Sequence, residues 1–338
     1  MIKNKKILIV GAGGFIGGHL VKKLLNDGNL IVASDIKPKE FWFQDLDEIE
    51  NHYNMDMKDI GNCRKVTKGV DYVFNMACNM GGMGFIENNK AECMLSVLIN
   101  ANLLRAAKEN NSQKYFFSSS ACVYNGSKQN ETFINGLKET DAYPADPEDG
   151  YGWEKLFSER MCRHFTEDFG LETRVVRYHN IYGPIGTFDG GREKAPAALC
   201  RKIINAKKNN FKSIDVWGDG EQTRSFLYID DCIKGTLNVF NSNSSEVYNI
   251  GSEEQVSINQ MIKMIEEISD YTVEKNYQLD KPKGVRGRSS DNSLVTKEIG
   301  WKSENSLKEG LKKTYKWIEH QINSGANTDK FCRGSIEK

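Results

Sequence analysis

The opening 35 residues constrain the fold more than any other stretch of this 338-residue chain. Lys5-Lys6-Ile7-Leu8-Ile9-Val10 is a short apolar run rich in β-branched residues, and it stops on Gly11-Ala12-Gly13-Gly14-Phe15-Ile16-Gly17. Such a run suits a strand buried on both faces of a parallel sheet. Gly11 then supplies a tight turn, Gly14 lets backbone amides approach a pyrophosphate, and Gly17 permits close packing of helix on strand. A helix predicted over 15–25, starting with Phe15 and Ile16, turns its positive N-terminus toward that pyrophosphate. A second strand over 30–34 leads into Asp35, at the spacing where an acid binds a ribose 2′-hydroxyl. The acid repels a 2′-phosphate, so NAD is favoured over NADP, although the nearby Lys37 pulls the other way. Glycines alone would say little. Strand, glycines, helix, strand and acid in that order specify a dinucleotide site.

The alternation continues to about residue 180, with strands predicted over 71–76, 114–118 and 172–177 and helices over 87–109 and 151–169. It implies an α/β fold, a doubly wound parallel sheet of the Rossmann kind with right-handed crossovers. The length exceeds one usual core, so two lobes are expected. Residues 1–180 read as the cofactor domain. Residues 181–322 read mainly as a smaller substrate lobe, with returns of the chain to the first domain, and 215–219 and 223–231 look like pieces of it. Residues 323–338 read as a polar, frayed tail. Ligands of such sheets lie at the carboxyl ends of strands, which points to loops 75–84, 118–124 and 177–184. Asp56, after Tyr53-Asn54-Met55, is a candidate adenine contact, though acids at such places also cap helices.

Tyr151 and Lys155 stand four residues apart on the second predicted helix and so share a face. A cation beside a phenol favours the phenolate, so the ring oxygen is expected to work as a base below its usual pKa of about 10. Paired with an upstream dinucleotide site, this suits deprotonation of a carbinol that gives up hydride.

Composition excludes several other roles. Lys+Arg and Asp+Glu both number 46, so no net charge draws the chain to nucleic acid or anionic membrane. No run of ~18 apolar residues spans a bilayer. The lysines before Ile7 resemble a leader only until Gly11 ends the apolar run. Eight cysteines, at 63, 78, 93, 122, 162, 200, 232 and 332, show neither metal-ligand nor paired spacing. No metal is expected, and the thiols read as reduced, in a cytoplasmic protein.

Through these residues the chain resembles the extended short-chain dehydrogenase/reductase family, which includes sugar-nucleotide epimerases and dehydratases, over about residues 5 to 322. The resemblance implies oxidation of a sugar hydroxyl, usually at C4, by tightly held NAD, with Ser120 completing a triad with Tyr151 and Lys155. Five further segments, 79–85, 119–122, 179–184, 191–198 and 284–288, look like the GDP-mannose 3,5-epimerase branch. That likeness implies Cys122 and Lys194 as an acid–base pair on opposite faces of the ring, exchanging the C3 and C5 protons that a C4 carbonyl makes removable. It also implies substrate contacts from Gly81, Ala121, Asn180, Glu193, Ala195, Lys202, Gln222, Thr223, Arg224 and Arg288. Arg288 is suited to grip a diphosphate bidentately.

Family members commonly pair long helices in a homodimer. Met94, Leu95, Leu98, Phe157, Met161 and Phe165 recur at helical spacing in the two helices concerned. Two other readings stay open. One is a C4 dehydrogenase, 4-epimerase or 4,6-dehydratase of a related GDP-hexose or GDP-heptose. Dehydration is disfavoured because Ala121-Cys122 stand where dehydratases carry Asp-Glu. The other is a catalytically silent NAD-binding sensor, which is expected to lose Tyr151 or Lys155; both are present.

Overall fold

The structure, a computed structural model, describes residues 2–49, 51–282, 284–325 and 327–332. Six strands follow in chain order: β1 (Lys6–Val10), β2 (Leu30–Asp35), β3 (His52–Asn54), β4 (Tyr72–Asn75), β5 (Lys114–Ser120) and β6 (Glu172–Tyr178). A seventh, Val247–Ile250, completes a parallel sheet in the spatial order Val247–Ile250, β6, β5, β4, β1, β2, β3. The chain runs outward from β1 to β3, then restarts at β4 on the other side of β1. That reversal opens a crevice at the carboxyl ends of β1 and β4, the usual ligand position in such sheets.

The crossovers carry α1 (Phe15–Asn26), α2 (Ile60–Thr67), α3 (Met83–Asn88), α4 (Lys90–Met94), α5 (Val97–Glu109) and α6 (Tyr151–Phe169). The two-residue period of β1 serves both faces of the sheet. Ile7 and Ile9 join Leu20, Val21 and Leu24 of α1 in one core. Leu8 and Val10 join Cys63 of α2, Leu103 and Leu104 of α5 and Cys162 of α6 in the other. The expected doubly wound fold is therefore borne out, and α6 forms over its expected residues, ending at left-handed Gly170.

The single helix expected over 87–109 is instead three pieces. Asn88 Nδ2 bonds Gly84 O at 2.6 Å and Asn89 Nδ2 bonds Phe85 O at 2.8 Å, so two amides compete for the carbonyls of α3. Asn89 itself leaves helical geometry, and Ser96 Oγ is taken by Asn79 N at 2.9 Å. Local side-chain bonds of this kind terminate helices that apolar periodicity alone would continue.

Beyond β6 the chain builds a smaller layer. Helix α7 (Ala195–Asn209) precedes Ser213–Trp217, which pairs in parallel with Glu274–Gln278. Thr223–Ser225 is flanked by Gln255–Ser257 and Gly287–Arg288. Helix α8 (Ile229–Asn241) goes back to the large sheet, where Phe240 lies 4.4 Å from the Phe74 ring centroid of β4. Near the end of the described chain, Asp329–Cys332 form a helical turn. Its Phe331 is buried against Phe188 and Trp317, and Lys330 pairs with Asp45 at 2.9 Å. Burial of an aromatic ring anchors this part of the segment expected to fray; residues 333–338 lie outside the described residues.

Candidate active site

At the crevice, Gly11 takes a positive φ of 83° and Gly14 caps α1. A Cβ on Gly17 would lie 2.1 Å from Gly11 O, so only glycine lets α1 start this close to β1. No side chain caps the amides of the first turn, which suits them to take up an anion. Asp35 closes the glycine turn from β2: Oδ2 accepts from Gly13 N and Oδ1 from Lys37 N, both at 2.9 Å. Burial raises the Asp35 carboxyl above its ordinary range, against Lys37 and these amides. Lys37 Nζ is tied to Gly13 O at 2.7 Å and its charge is balanced by Asp35. Asp56 stands apart, its Oδ1 accepting from Lys58 N at 2.8 Å in the turn before α2.

The next tier lies at the ends of β5 and α6. Ser120 Oγ accepts from Cys122 N at 3.2 Å and caps the 3₁₀ turn Ala121–Val123. A Cβ on Gly152 would meet Cys122 O at 2.4 Å, so glycine there lets the start of α6 press against that turn and brings Tyr151 to Ser120. Two turns along, buried Glu159 grips Arg177 of β6 at 2.9 and 2.7 Å, fixing α6 to the sheet. Lys155 is 1% exposed and lies 3.6 Å from Glu154 Oε2.

The Tyr151 phenol departs from expectation. It is raised well above its usual range, first by burial and then by Cys78, Cys122 and Glu154, with the Ser120 bond opposing. Lys155 Nζ sits 5.5 Å from the ring centroid and leans on Glu154, so it does not pull the phenol down. Burial, with Cys78, Cys122 and Glu154 adding to it, overrides the favourable spacing of the pair.

Cys122 and Lys194 are both buried and close enough for their charges to interact. Lys194 caps α7, and burial lowers its ammonium, with the Cys122 sulfur close enough to oppose that shift. The Cys122 thiol is pushed up to about 12 by burial and then by Glu148, against Arg288 and Ser120. Arg288, expected to hold a diphosphate, is instead committed to this tier and 3% exposed. Its Nε donates to Gln129 Oε1 at 2.6 Å, Nη2 to Glu148 Oε1 at 2.7 Å, and Nη1 to Cys122 Sγ at 3.6 Å. Arg224 lies beside it and is lowered to about 10 by burial and by Arg288.

The remaining expected contacts are more dispersed. Gly81 packs on Phe85, whose ring lies 3.7 Å from the Arg192 guanidinium. Glu193 pairs with Arg201 at 3.2 Å, and Ala195 opens α7. Asn180 bonds Ser225 O at 3.0 Å, Gln222 bonds Trp217 O at 2.9 Å, and Thr223 accepts from Gln255 at 2.9 Å. Lys202 Nζ donates to the backbone of Asp215 at 2.6 Å. Sequence reasoning missed Cys78, which stands beside Tyr151, Lys155 and Lys194, and Glu148. Neither had a signal beyond nearness to a strand end or to Tyr151. Among the described residues no group of His, Cys, Asp or Glu is placed to hold a metal, and no helix is long and apolar enough to cross a membrane.

These residues fit a nicotinamide dinucleotide. No side chain caps the first turn of α1, Asp35 stands beside it at the end of β2, and Lys155 Nζ is buried without a hydrogen-bond partner. When bound, NAD supplies a site that takes up a hydride and returns it.

The comparisons agree. The model of the NAD dependent epimerase/dehydratase family matches residues 7–251. GDP-mannose 3,5-epimerase 1 of Oryza sativa subsp. japonica is 48% identical over 318 residues, 94% of this chain and 82% of its own. GDP-mannose 3,5-epimerase of Arabidopsis thaliana is 47% identical over 321 residues, 95% of this chain and 84% of its own. The structure of UDP-glucuronic acid 4-epimerase from Bacillus cereus, solved with UDP-glucuronic acid and NAD, superposes with a TM-score of 0.79. It is 27% identical and covers 94% of this chain and 99% of that one. With the glycine cradle, Asp35, Tyr151 and Lys155 in one crevice, the chain belongs to the NAD-dependent epimerase/dehydratase family.

Proposed function

We propose that this chain is an isomerase that epimerises GDP-mannose at C3 and C5. The observation that carries this reading is that Cys122 stands within reach of both Lys194 and Tyr151 in one buried site. Tyr151 exchanges the proton of the C4 hydroxyl, and Ser120 orients it. Once C4 is a carbonyl, the hydrogens on C3 and C5 are acidic. Lys194, whose neutral amine is favoured by burial, takes a proton from one ring face. Cys122, held as a thiol, gives one to the other. The names of the plant relatives support the nucleotide and the sugar.

The test is incubation with GDP-mannose in heavy water with no added cofactor, read by NMR. Deuterium should enter C3 and C5 by exchange through the enolate, with no cofactor added because the protein retains NAD through turnover. Deuterium at neither carbon sinks the assignment, and a bound pool that is mainly NADP sinks the role given to Asp35.

A homodimer built on α4–α6 goes with this reading, as does a reducing cytoplasmic setting for eight free cysteines. Of the six apolar residues expected there, Met94, Leu95, Leu98 and Phe157 are each more than 40% exposed, as is Trp153, whereas Met161 and Phe165 pack in part on the core of their own subunit. Several large apolar side chains left exposed on neighbouring helices suit an interaction face. Light scattering at micromolar concentration should report about twice 38.3 kDa; a particle of 38.3 kDa refutes the dimer.

A further inference from the structure

Glu148 carries no motif of its own, yet its surroundings are those of a working group. Its backbone N donates to Cys122 O at 2.9 Å, tying the loop before α6 to the turn that bears the sulfur. Its Oε1 accepts from Arg288 Nη2 at 2.7 Å, in a pair whose side chains are 13% and 4% exposed. The same guanidinium reaches Cys122 Sγ through Nη1 at 3.6 Å and is steadied by Gln129. The other oxygen, Oε2, is buried without a hydrogen-bond partner. Native structures rarely leave a carboxylate oxygen so placed without a use for it.

We propose that Glu148 is the positioning residue of the proton-exchange step: it pins Arg288 against Cys122 and keeps the sulfur protonated until the sugar enolate forms. The role in turnover rests on the epimerase reading above. When the Lys194 amine takes the ring proton, that C–H bond breaks and its electron pair passes into the C4 carbonyl as the enolate. The S–H bond of Cys122 then breaks, its proton makes the new C–H bond on the opposite face, and a thiolate remains against Arg288 Nη1. Lys194 now holds a proton and Cys122 lacks one. Exchange at the second carbon with the roles reversed restores both.

The charges facing the sulfur come from several elements. Glu148 precedes α6, Arg288 lies on Gly287–Arg288, Arg224 on Thr223–Ser225, and Lys194 at the start of α7. Tyr151 faces Cys122 from α6, while Glu87 of α3 faces Glu148. Burial would raise Glu148, but Arg288, Cys122 and Arg224 hold it below the ordinary carboxylate range. It is therefore charged at neutral pH. Removing that negative charge leaves the cations unopposed, which favours the thiolate.

The test is the pH dependence of Cys122 alkylation by iodoacetamide, located by peptide mass spectrometry. Glu148→Gln should move the midpoint down by about 1–3 pH units, the usual worth of one close charge. Glu148→Asp, whose carboxylate is drawn back by one methylene, should move it the same way by less. The Cβ shift of isotope-labelled cysteine reads the same equilibrium without needing the reagent to enter. A purely structural Glu148 would change the melting temperature and leave the midpoint where it was; an unmoved midpoint in Glu148→Gln overturns the proposal. If that variant does not fold, an unmoved midpoint in Glu148→Asp overturns it equally. Absence of deuterium uptake in the wild type is a separate failure, of the epimerase reading, and leaves the alkylation result to judge Glu148.

Discussion

Tyr151→Phe should cut turnover by about 10²–10⁴-fold while leaving affinity for the GDP-sugar close to that of the wild type. The phenol is 5% exposed at the start of α6, beside Ser120, and the variant removes its oxygen and keeps the ring that fills the site. Every later step waits on the C4 carbonyl, so deuterium uptake at C3 and C5 should fall with turnover. The raised phenol makes the pH dependence informative. Lys155 lies 3.6 Å from Glu154 and the Ser120 bond alone does not offset burial, so the limb assigned to Tyr151 should appear only when cofactor and sugar fill the cleft. Steady-state rates and calorimetric titration with GDP-mannose read the two effects separately. Turnover at the wild-type level in Tyr151→Phe would remove Tyr151 from the mechanism.

Cys122→Ser and Lys194→Ala should separate proton exchange at carbon from oxidation at C4. A serine hydroxyl is a far weaker acid than a thiol, and alanine offers no base, so each variant should lose deuterium uptake at one or both carbons. Absorbance of the reduced cofactor should still appear on mixing with GDP-mannose, because Tyr151 and Lys155 are untouched. The sign of the pH effect follows from the two shifts. Burial lowers Lys194, so its neutral amine is present at lower pH than in a free lysine, and exchange should rise as pH climbs through that point. Lys194→Ala should erase this rise. The Cys122 thiol, pushed up to about 12 by burial, adds no limb below that. Deuterium uptake at the wild-type rate in Cys122→Ser would make Cys122 a packing residue and withdraw the main chemical support for the epimerase reading.

Near-sequence geometry accounts for what could be read without coordinates. Gly11, Gly14, Gly17 and Asp35 act through backbone turns and strand ends a few residues long. Their spacing therefore specifies their relation, and β1, α1 and β2 form where expected. Tyr151 and Lys155 share a face because one helix turn separates them, whatever surrounds that helix. The break of 87–109 into α3, α4 and α5 was not legible, since it depends on which carbonyls Asn88 and Asn89 find once the chain is packed.

Contacts across large sequence separations were decided only by the tertiary structure. Arg288 is charged and bidentate in any context, but the fold turns it inward onto Glu148, Gln129 and Cys122. Gly152 is unremarkable as a residue type until the sheet brings Cys122 O within 2.4 Å of where its Cβ would stand. Proton affinities belong to the same class. Desolvation and neighbouring charge depend on every group packed around a site, which is why Lys155 leans on Glu154 and the Tyr151 phenol moves up rather than down. Residue type and spacing determined which groups could do chemistry; the packing of distant segments determined their partners, their burial and hence their protonation.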